Sequence, residues 1–195
     1  MDSPPSRKEI THARIVDAAA RAIRRSGFHG VGVADIMKEA GLTHGGFYAH
    51  FASRDALLCE ALERAGTESA ARIAQGAAAP ASGETSVFRR LVETYLSERT
   101  LGSTEFGCPV AALASEMPRQ AAEVRAAAAQ RVRGLVAAIR KALPAGAAPE
   151  TATVVAGQLV GALQLARAFG ANAEGRAFLT ATRHALLAQY DTPLS

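Results

Sequence analysis

The sequence predicts an all-α protein, and three observations carry that prediction. Apolar residues recur at the helical period along nearly the whole chain, no stretch alternates apolar and polar residues long enough to make a strand, and glycine or proline marks the main interruptions. With 49% apolar residues among 195, the chain has ample material for a core.

The first helix is predicted from about Arg7 or Thr11 to Ser26, with Ile15, Ala19, Ala22 and Ile23 on one face and Gly27 as its stop. Its opposite face carries Arg14, Arg21, Arg24 and Arg25. A short second helix, Val33 to Ala40, buries Ile36 and Met37, and Gly41 supplies a tight turn. Thr43 is expected to cap a third helix from His44 to about Phe51, and Ser53 a long fourth helix to about Ile73. From Gly76 to Gly83 the chain is a loop of Ala, Pro, Ser and Gly. Helices come next at about Thr85–Arg99, Pro109–Met117, Pro118–Leu143, Glu150–Phe169 and Glu174–Tyr190, punctuated by Pro144, Pro149 and Gly170.

The formal charge of +4 suits a polyanionic partner without singling one out. The start, MDSPPSRKEI, has no apolar core of a signal peptide, and the most apolar stretch, Thr153–Ala166, is broken by Gln158 and Gln164. A soluble cytoplasmic protein, with no membrane partner, is therefore expected. Cys59 and Cys108 are far apart and have no second Cys or His at ligand spacing, so neither a disulfide framework nor a metal site is expected, and no cofactor.

The segment VGVADIMKEAGLTHGGFYAHFASRDALL, residues 31–58, carries the strongest local signal. A helix, a glycine turn, a capped short helix and a second cap make a helix-turn-helix. Winding the third helix at about 100° per residue places Phe47 and Phe51 toward the first two helices. Gly45, Gly46 and Ala49 then face outward, with Tyr48 and His50 on the flanks, within reach of phosphates. Two glycines in one short helix suit close backbone approach to DNA, although first-turn positions also tolerate glycine cheaply. Thr43 and His44, at the exposed end, are the candidates for base-edge contacts. Arg54, just inside the next helix, is either a solvated surface charge or a cation kept for a phosphate, and Arg7, Lys8 and Arg14 are weaker candidates for that role.

Taken together, Ala40-Gly41-Leu42-Thr43, Phe47-Tyr48-Ala49-His50-Phe51 and Ser53-Arg54-Asp55-Ala56-Leu57 closely resemble the hallmark of the tetracycline-repressor (TetR) family. The resemblance spans about the first third of the chain. It departs at Val33, where the family often places a threonine, so the cap and phosphate contact of a threonine are not carried over. It implies a helix-turn-helix DNA-binding domain over residues 1–53 and a larger helical ligand-binding and dimerisation domain over 54–195. It also implies a backbone contact from Arg54, an inducer pocket, and a four-helix dimer interface from the last two helices.

The C-terminal half adds its own signals. Residues 154–163 are apolar almost all round, and Gly157 and Gly161 sit one turn apart, as in a buried core helix or a dimer seam. Val154, Gly157, Gln158, Gly161 and Leu165 are the candidate interface residues. Gly107-Cys108-Pro109 puts a thiol at a helix N-cap, a position that lowers thiol pKa. Cys108 is thus either an electrophile or oxidant sensor or a small buried hydrophobe. Phe88, Leu91, Tyr95, Phe106, Leu113 and Met117 recur at helical spacing, either lining a cavity around Cys108 or forming plain core.

The expected protein is a homodimeric, sequence-specific regulator and not an enzyme. It would repress from a palindromic operator in double-stranded DNA and be released by a small apolar or electrophilic inducer. The competing reading is an all-α ligand-binding protein or enzyme that uses the N-terminal motif structurally.

Overall fold

The computed structural model describes residues 4–78 and 85–191, and these are helical without a strand. The elements are α1 (Arg7–Ser26), α2 (Val33–Glu39), a 3-10 segment (His44–Ala49), α3 (Arg54–Ala78), α4 (Val87–Tyr95), α5 (Glu98–Gly102), α6 (Pro109–Leu113), α7 (Ala122–Ala142), α8 (Thr151–Phe169) and α9 (Ala173–Tyr190). Short 3-10 turns at Thr104–Phe106 and Met117–Arg119 join the middle elements. The loop predicted at Gly76–Gly83 lies mostly on residues 79–84, outside the described residues, and α3 extends to Ala78 instead of ending near Ile73.

Local chemistry explains most boundaries. Ser6 and Glu9 form a reciprocal capping box, with the Ser6 amide donating to Glu9 at 2.6 Å, so α1 begins at Arg7. Gly27, at φ +77°, ends it. Ser53 caps α3 by accepting from the Ala56 amide at 3.0 Å. The single helix expected over residues 85–99 divides at Leu96, because the Ser97 hydroxyl accepts from the Thr100 amide and opens α5. The helix expected from Pro109 to Met117 ends at Leu113, and Pro118 lies in a 3-10 turn ahead of α7.

Ile15, Ala19, Ala22 and Ile23 are all buried, as the period requires. They join Ile36 and Met37 of α2 and Leu57, Leu58 and Leu62 of α3 in one core. Farther along, α3 packs on α7 and α4, so one helix serves both halves of the molecule. The long α8 lies against α7, α9 and α6.

One expectation for α1 is corrected. Arg24 is not on the solvent face: its side chain is 0% exposed, bonded to Glu68 at 2.6 Å and to the Ala20 carbonyl at 2.9 Å. A buried guanidinium is tolerated because its donors are matched, and it ties α1 to α3.

Candidate nucleic-acid interface and adjoining cavities

The turn after α2 sets the direction in which the 3-10 segment leaves it. Gly41 has φ +70°, and the Arg14 guanidinium donates to the Ala40 carbonyl at 2.6 Å, closing the end of α2. A Cβ on Gly41 would stand 3.0 Å from that guanidinium nitrogen, so both torsion and space call for glycine. Arg14 is therefore held in the turn instead of reaching outward.

The next segment is a 3-10 helix, not the expected α-helix, and this regroups its faces at three residues per turn. Phe47 and Phe51 are buried with ring centroids 5.6 Å apart, and the stacked pair anchors the segment. Tyr48 is 75% exposed and rests edge-on against Phe47, and Thr43, His44, Gly45 and Ala49 are also exposed. A side chain at Gly45 would meet nothing, whereas one at Gly46 would point at the Met37 methyl at 3.7 Å. Gly46 thus faces α2, which corrects its expected outward direction. Thr43 has the extended backbone of a cap but its side chain makes no capping bond, which leaves the hydroxyl available.

His50 is half-buried and 6.0 Å from the ring of His12. Desolvation, with His12 and Lys8 close by, lowers its pKa below the usual imidazole value. His12, expected to stand alone, stacks on Phe51 at 4.4 Å and bonds Glu60 at 2.7 Å. Arg54 donates to the Phe28 carbonyl, with Val31 O at 3.4 Å, and so holds the connector between α1 and α2.

The same connector is gripped from the other half. The Phe28 amide donates to Glu116 at 3.0 Å, and Arg25 bridges Glu39 of α2 at 2.8 Å to Glu105 at 2.9 Å. Sequence reasoning missed the contacts to Glu105 and Glu116 because each joins residues 80 or more positions apart.

Three cavities lie along α3. The largest, about 720 Å³, is lined by Arg72, Arg99, Thr94, Ser97, Thr100 and Ser103 among others. A void of about 20 Å³ between Tyr95, Thr100 and Cys108 adjoins it, sharing Arg72, Phe106 and Gly107. A slot of about 160 Å³ lies on the far side of Cys108, among Ile73, Val110, Leu135 and Ala138. Phe106 is 44% exposed at the large cleft, whereas Phe88, Leu91, Leu113 and Met117 are buried and line none of the three. Cys108 is buried at the N-cap of the five-residue α6 and makes no capping bond. Beside it, the Tyr95 hydroxyl and Arg167 Nε have no hydrogen-bond partner of good geometry. Burial pushes the Tyr95 phenol well above its ordinary pKa and pulls Arg167 down.

On α8, Val155, Leu159 and Leu163 face the core, while Val154, at 48% exposed, and Leu165, at 54%, stand on the open side with Gly157 and Gln158. A side chain on Gly157 or Gly161 would meet nothing within 4 Å. By length and composition α8 could also cross a membrane, with 39% of its apolar window buried.

A trihelical head with a glycine turn and an exposed third segment, carried by a larger helical bundle, defines a helix-turn-helix DNA-binding protein. Residues 15–61 match the family model for bacterial regulatory proteins of the tetR family. The chain also shares its fold with solved regulators. It is 22% identical to a TetR transcriptional regulator from Chloroflexus aurantiacus, with a TM-score of 0.77 over 96% of this chain and 98% of that one. It is 23% identical to E. coli NemR in its reduced form, with a TM-score of 0.71 over 90% and 96%. It is 16% identical to the regulator FadR from Bacillus subtilis in complex with stearoyl-CoA, with a TM-score of 0.65 over 91% and 98%. No curated protein matches. The head thus matches the tetR family model over residues 15–61, and the whole chain shares the fold of the solved regulators.

Proposed function

We propose that the chain is a cytoplasmic homodimeric repressor that occupies a palindromic operator and is released by a small molecule bound in its C-terminal half. The observation that carries this reading is the 3-10 segment: two buried phenylalanines fix it, while Thr43, His44, Gly45 and Tyr48 stand exposed beside one another. These residues enter the major groove, Thr43 and His44 at base edges and Tyr48 at phosphates. Gly46 seats the segment on α2 and Arg54 holds the connector ahead of α2, while the half-buried His50 stands at the segment's end.

The open face of α8, with Val154, Gly157, Gln158, Gly161 and Leu165, meets its copy in a second protomer. An apolar stripe of this kind calls for a cover, and the two bare glycines let the partner helix approach closely. In the dimer the two recognition segments stand about 34–36 Å apart, one helical turn of DNA. Ligand binding favours a different separation and so lowers operator affinity.

A second route of release rests on Cys108, whose thiol lies where the small void meets the apolar slot. Addition of an electrophile there would force α6 away from α3. Cys108→Ser should abolish electrophile-induced release and leave operator binding intact.

Selection of bound sequences from a random duplex pool, at stated salt, tests the main reading. Enrichment of an inverted repeat is the expected result. A folded dimer that enriches nothing would favour the competing reading, a ligand-binding protein or enzyme.

A further inference from the structure

The large cleft combines apolar surface with charged and hydroxyl side chains. Arg72 and Arg99 both line it, together with the hydroxyl-bearing Thr94, Ser97, Thr100 and Ser103. Among the described residues neither guanidinium forms an ion pair. The acidic lining residue, Glu68, is already bonded to Arg24 at 2.6 Å and Arg64 at 3.1 Å. Burial lowers the pKa of Arg72, and the nearby charges of Arg24 and Arg99 lower it further against the opposing pull of Glu68. Two cations that face one cavity without a carboxylate partner call for an anion between them.

Arg72 also has a mechanical role. It donates to the carbonyl of Phe106, the last residue of the Thr104–Phe106 turn, and Glu105 in that turn holds Arg25 at the end of α1. The turn packs directly on α1. A guanidinium that closes on a carboxylate in the cleft has fewer donors and a different direction left for Phe106.

From this geometry we infer that the cleft binds a hydroxylated organic acid, with its carboxylate between Arg72 and Arg99. Binding draws Arg72 off the Phe106 carbonyl and loosens the Glu105–Arg25 link to the head. The inference rests on the regulator reading for its regulatory consequence, but the ligand chemistry stands on the cleft alone.

The test uses the full-length protein. A thermal-shift screen at fixed ionic strength compares about two hundred small organic acids with their methyl esters. Acids should dominate the hits, a hit at ten times its Kd raising the midpoint by about 3–6 °C. Arg72→Gln and Arg99→Gln should each remove that rise, and Arg133→Gln, on the exposed side of α7, should not. A confirmed acid should also weaken binding to the selected duplex, and Glu105→Gln should blunt this effect without changing acid affinity. Esters that score as well as acids, no acid that shifts the midpoint, or acid hits indifferent to Arg72→Gln would each overturn the inference. Operator selection without acid binding would sink this inference alone, while acid binding without operator selection would sink the regulator reading.

Discussion

The arginines that brace the head differ from the two that line the large cleft. In the head, Arg14 ends on the Ala40 carbonyl, Arg54 on Phe28 and Val31, and Arg24 on Ala20 and Glu68. In the C-terminal half, Arg72 and Arg99 face a cleft without a carboxylate partner, and the Tyr95 hydroxyl and Arg167 Nε lie buried without a good acceptor or donor. A buried polar group left unmatched costs about 1–3 kcal/mol. The head also buries Asp17 Oδ1 and His50 Nδ1 without a hydrogen-bond partner of good geometry, so the contrast lies in the arginines, and under the proposed reading those of the cleft await a ligand's carboxylate. The Arg25–Glu105 and Phe28–Glu116 contacts join the two regions.

The comparison can be broken at several points, in decreasing size of effect. Leu165→Glu on the open face of α8 should turn the dimer into a monomer in sedimentation equilibrium and cost about 10²–10⁴-fold in operator affinity, because the two half-sites are no longer linked. An undisturbed dimer would place the interface elsewhere. Phe47→Ala, deep in the head, should cost about 3–5 kcal/mol in urea denaturation. A loss below about 1 kcal/mol would show that the head is loosely packed around this ring.

Glu68→Ala leaves Arg24 with backbone partners only and should cost about 2–3 kcal/mol. Combining it with Arg24→Met should restore most of that loss, since an apolar side chain needs no partner there. Tyr48→Ala should leave stability within about 0.5 kcal/mol of the parent, as befits an exposed side chain, yet weaken operator binding by about 1–3 kcal/mol in fluorescence anisotropy.

The smallest effect concerns acid. His50 has its pKa lowered from 6.5 by desolvation first and then by His12 and Lys8. Its contribution to stability is present above the unfolded pKa and is lost as pH falls through the folded value. Glu68 behaves likewise at lower pH: burial pushes it up, but bonds and charge from Arg24 and Arg64 prevail and its pKa falls below 4.5. Melting midpoints should therefore decline from pH 7 toward pH 4, and His50→Gln should flatten the upper part of that decline. An unchanged slope in this variant would show that His50 contributes nothing to it.

Much of the fold was legible because its signals are local. Gly27, Gly41, Ser53 and the period of α1 each act within one turn, and the structure places all of them as expected. The apolar run of α8 was legible for the same reason, but the run left a buried core helix and a dimer seam both open. The 3-10 winding of His44–Ala49 was not, because sequences that bond three or four residues back differ little. The buried position of Arg24 depends on Glu68, 44 residues away, and the tether of Arg54 on carbonyls of another element. Arg72 and Arg99 carry no local sequence signal, because only tertiary packing brings them to one cleft.

Hydrogen exchange of the full-length dimer, with and without the selected duplex, tests the division of labour most directly. Protection on binding DNA should concentrate in residues 43–50, with α1 and α2 already slow and α8 unchanged. New protection confined to the cleft and α8, with residues 43–50 exchanging as before, would contradict the assignment of the head as the reader of DNA.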